Sequence, residues 1–301
     1  MTSADPLAAK PVEVREGIVY AEHDGHSLLA DLYMPPGRDL AAGILLFHGG
    51  AWTKGKRASY ENWGRFLAAE GYVAMAADYR LAGAGAPSFP LNIWDGHAAV
   101  QFLRGRSAEY GVDPDRIGVM GGSAGAHLAA MVTLTPRVAS LRNPYADEFA
   151  AVPSTVSFAI CMAGTYDLVQ RWEQDQIERP TGENSAELYL GSSPMSVRSR
   201  YYEASPIFHA SEENARGTRW LLAWGTEDDV TAPELHSIVL SRHLKRAGAL
   251  VRHAPIVGAP HFWYFEGEVD EGPFLPVFAS RLRTFLQAWS GWSGQPSRAP
   301  R

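Results

Sequence analysis

The chain has 301 residues, 46% hydrophobic and 20% charged, with a formal net charge of −6. That composition belongs to an ordinary folded protein and excludes a disordered or fibrous one. The mild acidity, with no long run of like charges and no basic stripe interleaved with aromatics, gives no argument for a nucleic-acid partner.

Residues 1–10 read as a loose arm rich in small residues and Pro. They lack a basic segment followed by an apolar one, so no secretory signal is visible. No window of 18 apolar residues follows anywhere, so no membrane span is expected and the default location is cytoplasmic. Residues 12–20 and 27–34 read as two strands around His23-Asp24-Gly25-His26, a hairpin with a Gly turn. The two histidines could suggest a metal pair, but exposed polar turn residues are a sufficient account.

Gly43-Ile44-Leu45-Leu46-Phe47 is a continuous apolar run of strand length, as in a parallel sheet covered on both faces. Residues 60–70 carry helical spacing through Trp63, Phe66 and Leu67, with Gly71 as the terminating glycine. Residues 72–76 form another buried strand. A Gly/Ala/Pro loop, 81–90, leads to a helix expected at 93–110. Residues 116–120 are a strand and 124–134 a helix. The strand at 156–163 contains the one cysteine, Cys161, so no intrachain disulfide can form. Its apolar setting makes it a small core residue rather than a nucleophile. Strands at 219–224 and 251–257 flank a helix at 233–247, and a closing helix spans 273–288. Residues 291–301 read as a frayed tail.

This alternation predicts an α/β fold with a mostly parallel central sheet, an N-terminal antiparallel hairpin and helices on both faces. One domain spans 11–290. The stretch that breaks the rhythm, 165–217, is long, polar and carries scattered aromatics. An insertion of that size in a compact α/β domain is usually functional, and it reads as a lid or cap after the sixth strand.

Met120-Gly121-Gly122-Ser123-Ala124-Gly125 fits G-x-S-x-G between a strand and a helix. That context demands a strained turn with small neighbours and exposes the serine oxygen at a helix N-terminus. Ser123 is therefore the candidate nucleophile, against an ordinary N-cap serine. Phe47-His48-Gly49-Gly50-Ala51-Trp52 leaves the end of a buried strand. Acyl transfer needs backbone N–H donors where the tetrahedral oxygen forms, and glycines let the backbone approach. His48 is expected to brace this loop, and the N–H of Ala124 supplies a further donor.

Trp224-Gly225-Thr226-Glu227-Asp228-Asp229-Val230 offers three acids after one strand. Asp228 is preferred, with Asp229 and Glu227 as rivals, to hold the tautomer of an imidazole. Gly258-Ala259-Pro260-His261-Phe262-Trp263 follows the last strand and supplies the base, His261. His127, His236, His243 and His253 read as structural or exposed.

With these pieces placed, the chain resembles the α/β-hydrolase esterases of the hormone-sensitive-lipase-like and feruloyl/acetylxylan-esterase-like branches, from about Val14 to Ala288. HGGAW at 48–52, GGSAG at 121–125, GTEDDV at 225–230 and GAPHFW at 258–263 carry the likeness. The resemblance implies Ser123 as nucleophile, Asp228 as acid, His261 as base, and oxyanion donors at Gly50, Ala51 and Ala124. It implies a carboxylesterase for small or medium acyl or aryl esters, with a small-molecule substrate and neither metal nor organic cofactor. An arylformamidase or amidase using the same triad is the alternative, and a homodimer is compatible with the class. Ala51 stands where lipase-like members carry glycine, and Trp224 where many carry histidine. The helical cap that precedes the first strands in lipase-like members has no counterpart here, so the pocket is expected to be covered from 165–217. Trp52, Trp94, Trp172 and Trp263 are candidate pocket walls, with core packing the rival role for each.

Overall fold

The computed structural model describes residues 12–37, 40–178, 182–265, 269 and 271–290. The loose arm and frayed tail expected at the two ends lie outside the described residues.

Strands β1 (Glu13–His23) and β2 (His26–Met34) form an antiparallel hairpin. Asp24 and Gly25 close it, both at positive φ (51° and 78°). Two left-handed residues give a two-residue turn the twist its strands need. Then follow β3 (Ala41–Phe47), α1 (Glu61–Ala69), β4 (Val73–Ala77), α2 (Leu91–Gly105), α3 (Ser107–Tyr110), β5 (Val112–Gly122), α4 (Ala124–Leu134) and β6 (Phe158–Met162). After β6 come α5 (Leu168–Glu178), α6 (Ser185–Leu190), α7 (Arg198–Glu203), α8 (Pro206–His209) and α9 (Glu212–Ala215). The chain closes with β7 (Arg219–Gly225), α10 (Ser237–Arg246), β8 (Leu250–Ile256) and α11 (Leu275–Ser290).

The strands make one 8-stranded sheet in the order β1-β2-β4-β3-β5-β6-β7-β8. Among these described strands, the β1–β2 and β2–β4 pairings are antiparallel and the others parallel. Strand β3 lies between β4 and β5 and is buried at every position, which explains its unbroken apolar run. Its side chains alternate between two cores, as the strand period demands. Leu45 and Phe47 join α2, α4 and α10, while Ile44 and Leu46 join α1 and α11. Helices therefore cover both faces, as the strand-helix alternation predicts.

Three expectations need correction. The helix expected at 93–110 is two helices: α2 stops at Gly105, and the short α3 ends against Gly111 in the left-handed conformation. The helix expected from residue 233 begins only at Ser237, because His236 has φ −120° and ψ −80°. The turn histidines are not both exposed. Strand β1 runs three residues beyond the expected end, and His23 is fully buried. Its Nδ1 lies 2.8 Å from Asp95 Oδ1 and its Nε2 3.0 Å from Asp147 Oδ2. The ring stacks on Tyr145 at 3.8 Å, and Arg80 clamps the same Asp95 carboxylate. His26 is exposed, while both ring nitrogens of His23 are engaged by carboxylates.

Residues 165–217 are less irregular than their composition suggests. They hold α5 to α9, and Ala186, Tyr189, Leu190, Tyr201 and Ala204 sink into the core shared with α4. Asn184 caps α6, its side chain accepting from the N–H groups of Ala186 and Glu187.

Candidate active site

Ser123 sits between β5 and α4 with φ 53° and ψ −121°. Its neighbours explain why the turn needs glycine. A Cβ on Gly125 would lie 2.0 Å from the Phe47 carbonyl oxygen, and one on Gly121 would lie 2.3 Å from the Gly125 oxygen. The strand, the turn and the following helix approach too closely for any side chain there. The Ser123 N–H donates to the Met162 carbonyl at 2.8 Å, which ties the strained residue to the end of β6. Such strain persists only where surroundings over-determine it.

The Ser123 Oγ lies 3.0 Å from His261 Nε2. The other ring nitrogen, Nδ1, stands 2.9 and 3.0 Å from the two oxygens of Asp228. A carboxylate only accepts, so Nδ1 carries the proton and Nε2 is free to accept from the serine. His261 is 1% exposed and Asp228 8%. Glu227 and Asp229 face solvent, so of the three adjacent acids only Asp228 reaches the imidazole. Burial pushes the Asp228 carboxyl up, but hydrogen bonds from His261 and from the N–H groups of Thr231 and Val230 outweigh it and hold the group below the ordinary carboxylate range. Thr231, which sequence reading missed, adds a hydroxyl 3.0 Å from Asp228 Oδ2 and 3.2 Å from the Ala163 carbonyl. A threonine three residues past an acid carries no distinguishing signal in one sequence.

The glycine loop after β3 turns through three positive φ values in a row: Gly50 at 122°, Ala51 at 51° and Trp52 at 62°. Left-handed backbone costs a non-glycine residue roughly 1–2 kcal/mol, so Ala51 and Trp52 must be held. Trp52 stacks on Tyr189 at 4.7 Å, donates its Nε1–H to His127 Nδ1 at 3.1 Å, and accepts the Ala82 N–H on its carbonyl at 2.8 Å. His127 donates from Nε2 to the Ala204 carbonyl at 2.7 Å, and burial holds its pKa down at about 4. The neutral ring thus links the loop, α4 and the segment after β6. His48 donates from Nδ1 to the Gly49 carbonyl at 2.8 Å and stacks on Tyr79, whose hydroxyl donates to the His48 carbonyl. Among the described residues, no backbone carbonyl receives the N–H of Gly50, Ala51 or Ala124. Ala124 opens an 11-residue helix, whose N-terminal dipole also favours negative charge.

A cavity of about 50 Å³ opens beside Ser123, with Ala51, Trp52, Ala124, Arg171 and Thr231 among its walls. Of the four candidate tryptophans, only Trp52 lines it. Trp94 donates to the Ser140 carbonyl beside Tyr145, and Trp172 donates to Glu187. Trp263 is buried against Phe278 in the core under α11. Larger clefts exist, including one of about 440 Å³ between residues 83–87 and α6, but that one shares none of the site's residues. Among the described residues no cluster of His, Cys, Asp and Glu could hold a metal ion. No described helix is long and apolar enough to cross a membrane.

The arrangement places a serine hydroxyl against an imidazole whose tautomer is fixed, beside N–H groups that no described backbone carbonyl receives. That is the equipment of acyl transfer.

Comparison with known proteins points the same way. A family model described as BD-FAE matches residues 30–244. The Mycobacterium tuberculosis esterase LipQ is 29% identical over 251 residues, which is 79% of this chain and 54% of that protein. The ethyl acetate hydrolase of Pseudomonas putida is 29% identical over 269 residues, 85% of this chain and 79% of that one. The chain spans about half the length of the mycobacterial relative. Among solved structures, the esterase Est2 of the Planctomycetes species Thermogutta terrifontis with propionate bound superposes with a TM-score of 0.74. It is 26% identical, over 97% of this chain and 99% of that one.

Proposed function

This chain belongs to the BD-FAE family, and from that membership we propose that it is a serine carboxylesterase acting on small or medium acyl or aryl esters. The observation that carries the reading is the relay in which His261 Nε2 stands 3.0 Å from Ser123 Oγ while Asp228 holds Nδ1. Ser123 attacks the ester carbonyl and His261 takes its proton. The carbonyl oxygen becomes an oxyanion, and the N–H groups of Ala51 and Ala124, with Gly50 beside them, receive it. Each such donor is typically worth a factor of about 10² to 10³ in turnover. His261 then passes its proton to the departing alcohol. Water, activated by the same histidine, releases the acid from the acyl-enzyme. We read residues 165–217 as the cap of this site, since Thr165, Arg171 and Ser185 come from that segment and line the cavity at Ser123.

The named relatives agree in scale. One is an ethyl acetate hydrolase, and the Thermogutta esterase has been solved with propionate and with butyrate. The test is a hydrolysis panel of p-nitrophenyl acetate, butyrate and octanoate beside an aryl formamide, on the protein and its Ser123→Ala variant. Serine-dependent ester cleavage is expected to exceed formamide cleavage. The reverse order would make the protein a formamidase, and turnover that survives in Ser123→Ala would refute the mechanism.

A further inference from the structure

Resting on the esterase reading, we infer that Arg171 is the specificity-determining residue of this site, closing the acyl pocket to chains longer than about four carbons. Arg171 lies on α5 and lines the cavity beside Ser123, yet it is only 3% exposed. Its guanidinium is fixed from two sides. Nη1 donates to the Val230 carbonyl, in the loop that carries Asp228, and Nη2 pairs with Asp175 one turn along α5. Asp175 is buried as well and accepts from the Ser185 N–H at 3.0 Å and hydroxyl at 2.7 Å, at the start of α6. Burial pushes the Asp175 carboxyl up, but the bonds from Arg171 and Ser185 win and hold it below the usual carboxylate range.

Arg171 is thus a wall residue of the cavity that Ser123 also lines, held from behind by a buried partner, Asp175, and tied to the acid loop and to the start of α6. An acyl chain cannot easily displace it, because moving the guanidinium leaves Asp175 as an uncompensated buried charge. The cavity in front of it is about 50 Å³. At roughly 10–15 Å³ per water-sized position, that admits a few heavy atoms. An acetyl to butyryl group fits this space, and further methylenes would press on the charged, fixed Arg171.

The acyl side is assigned because it stays covalently on Ser123 while the alcohol leaves and water enters. A small pocket with a fixed wall suits the part that stays. The alcohol then needs the open side, where no such limit applies.

The experiment measures kcat/KM on two series. One is p-nitrophenyl esters from acetate to octanoate, and the other is acetates of lengthening alkyl alcohols. The wild-type protein is expected to fall steeply beyond butyrate in the first series and to vary little in the second. The double variant Arg171→Met with Asp175→Asn removes the pair without stranding a carboxylate and keeps an acceptor for Ser185. Its acetate-to-hexanoate ratio is expected to shrink by about tenfold or more, on the scale of one methylene in a fitted pocket. The ratio, rather than turnover alone, is the readout. Arg171 also ties the acid loop, so its loss lowers all substrates together, and the ratio separates the two roles. Arg171→Lys, which keeps the charge, is expected to retain most of the preference for acetate. A wild-type cut-off on the alcohol series instead of the acyl series would overturn the inference, and that arm needs no variant to fold. An unchanged ratio in a folded double variant would overturn it too. Absence of Ser123-dependent hydrolysis in the wild type would instead remove the esterase reading on which it rests.

Discussion

A methyl group on Gly125 would place its carbon 2.0 Å from the Phe47 carbonyl oxygen, a separation no side chain survives. Gly125→Ala must therefore push α4 away from β3, moving Ser123 relative to the donor loop. The expected cost is about 1–3 kcal/mol in chemical denaturation, with ester turnover reduced far more than stability. A variant as active as wild type would mean that the elbow tolerates a looser approach. At Asp228 the expectation is different. Asp228→Asn keeps the shape but presents the wrong partner to Nδ1, and activity should fall by roughly 10⁴ with the melting temperature nearly unchanged. Asp229→Asn, at an exposed position, should behave as wild type, and the opposite pattern would reassign the acid. Much of this is legible in the residues themselves. A serine between glycines at a strand end, and a histidine after the last strand, announce their chemistry by context. Which of three adjacent acids turns inward is set by the local turn, where the N–H groups of Val230 and Thr231 fold back onto Asp228 Oδ1, so the sequence supports a preference for Asp228 but leaves its neighbours as rivals. The tryptophans are illegible for a related reason. An aromatic ring fills a core or a pocket equally well, and Trp263 and Trp52 separate only once their neighbours are known.

At the scale of elements, the hairpin turn holds a pH-dependent contribution to stability. His23 is flanked by Asp95 and Asp147, with Arg80 and Tyr145 completing its surroundings. Burial alone would lower its pKa, but hydrogen bonds and charge from the two carboxylates raise it above the ordinary histidine value. A raised folded-state value means the protonated ring stabilises the fold. That contribution is fully present below about 6.5, the unfolded value. It is lost as pH rises through the folded-state value. His23→Gln should therefore destabilise the protein more at pH 5.5 than at pH 9, measured as the difference in melting temperature. An equal difference at both pH values would contradict the assignment. The sheet strands are readable because their apolar runs and alternation survive in any context. The helices α6 to α9 are not, since at four to six residues they are too short to display a helical period. The burial of His23 escapes sequence reading because a hairpin turn is normally solvated, and nothing local reveals that α2 and the 143–147 loop close over it.

At the scale of the whole molecule, the site is assembled from parts far apart in sequence. The proposed nucleophile, donor loop, acid and base arrive from the ends of β5, β3, β7 and β8, and the segment after β6 lines part of the cavity beside them. Parallel strands deliver all four to one edge of the sheet, as the strand-helix alternation leads one to expect. The shape of the space between them is not legible, because it depends on the buried Arg171–Asp175 pair and on the stacking of Trp52 with Tyr189. The proposed chemistry has Ser123 as its one covalent centre. The most direct measurement treats the purified protein with an organophosphate ester and maps the adduct by peptide mass spectrometry while following p-nitrophenyl acetate hydrolysis. One phosphoryl group on Ser123, gained in step with the loss of activity and absent from Ser123→Ala, is the result predicted here. Inactivation with the label elsewhere, or full activity in a chain whose Ser123 is labelled, would contradict it.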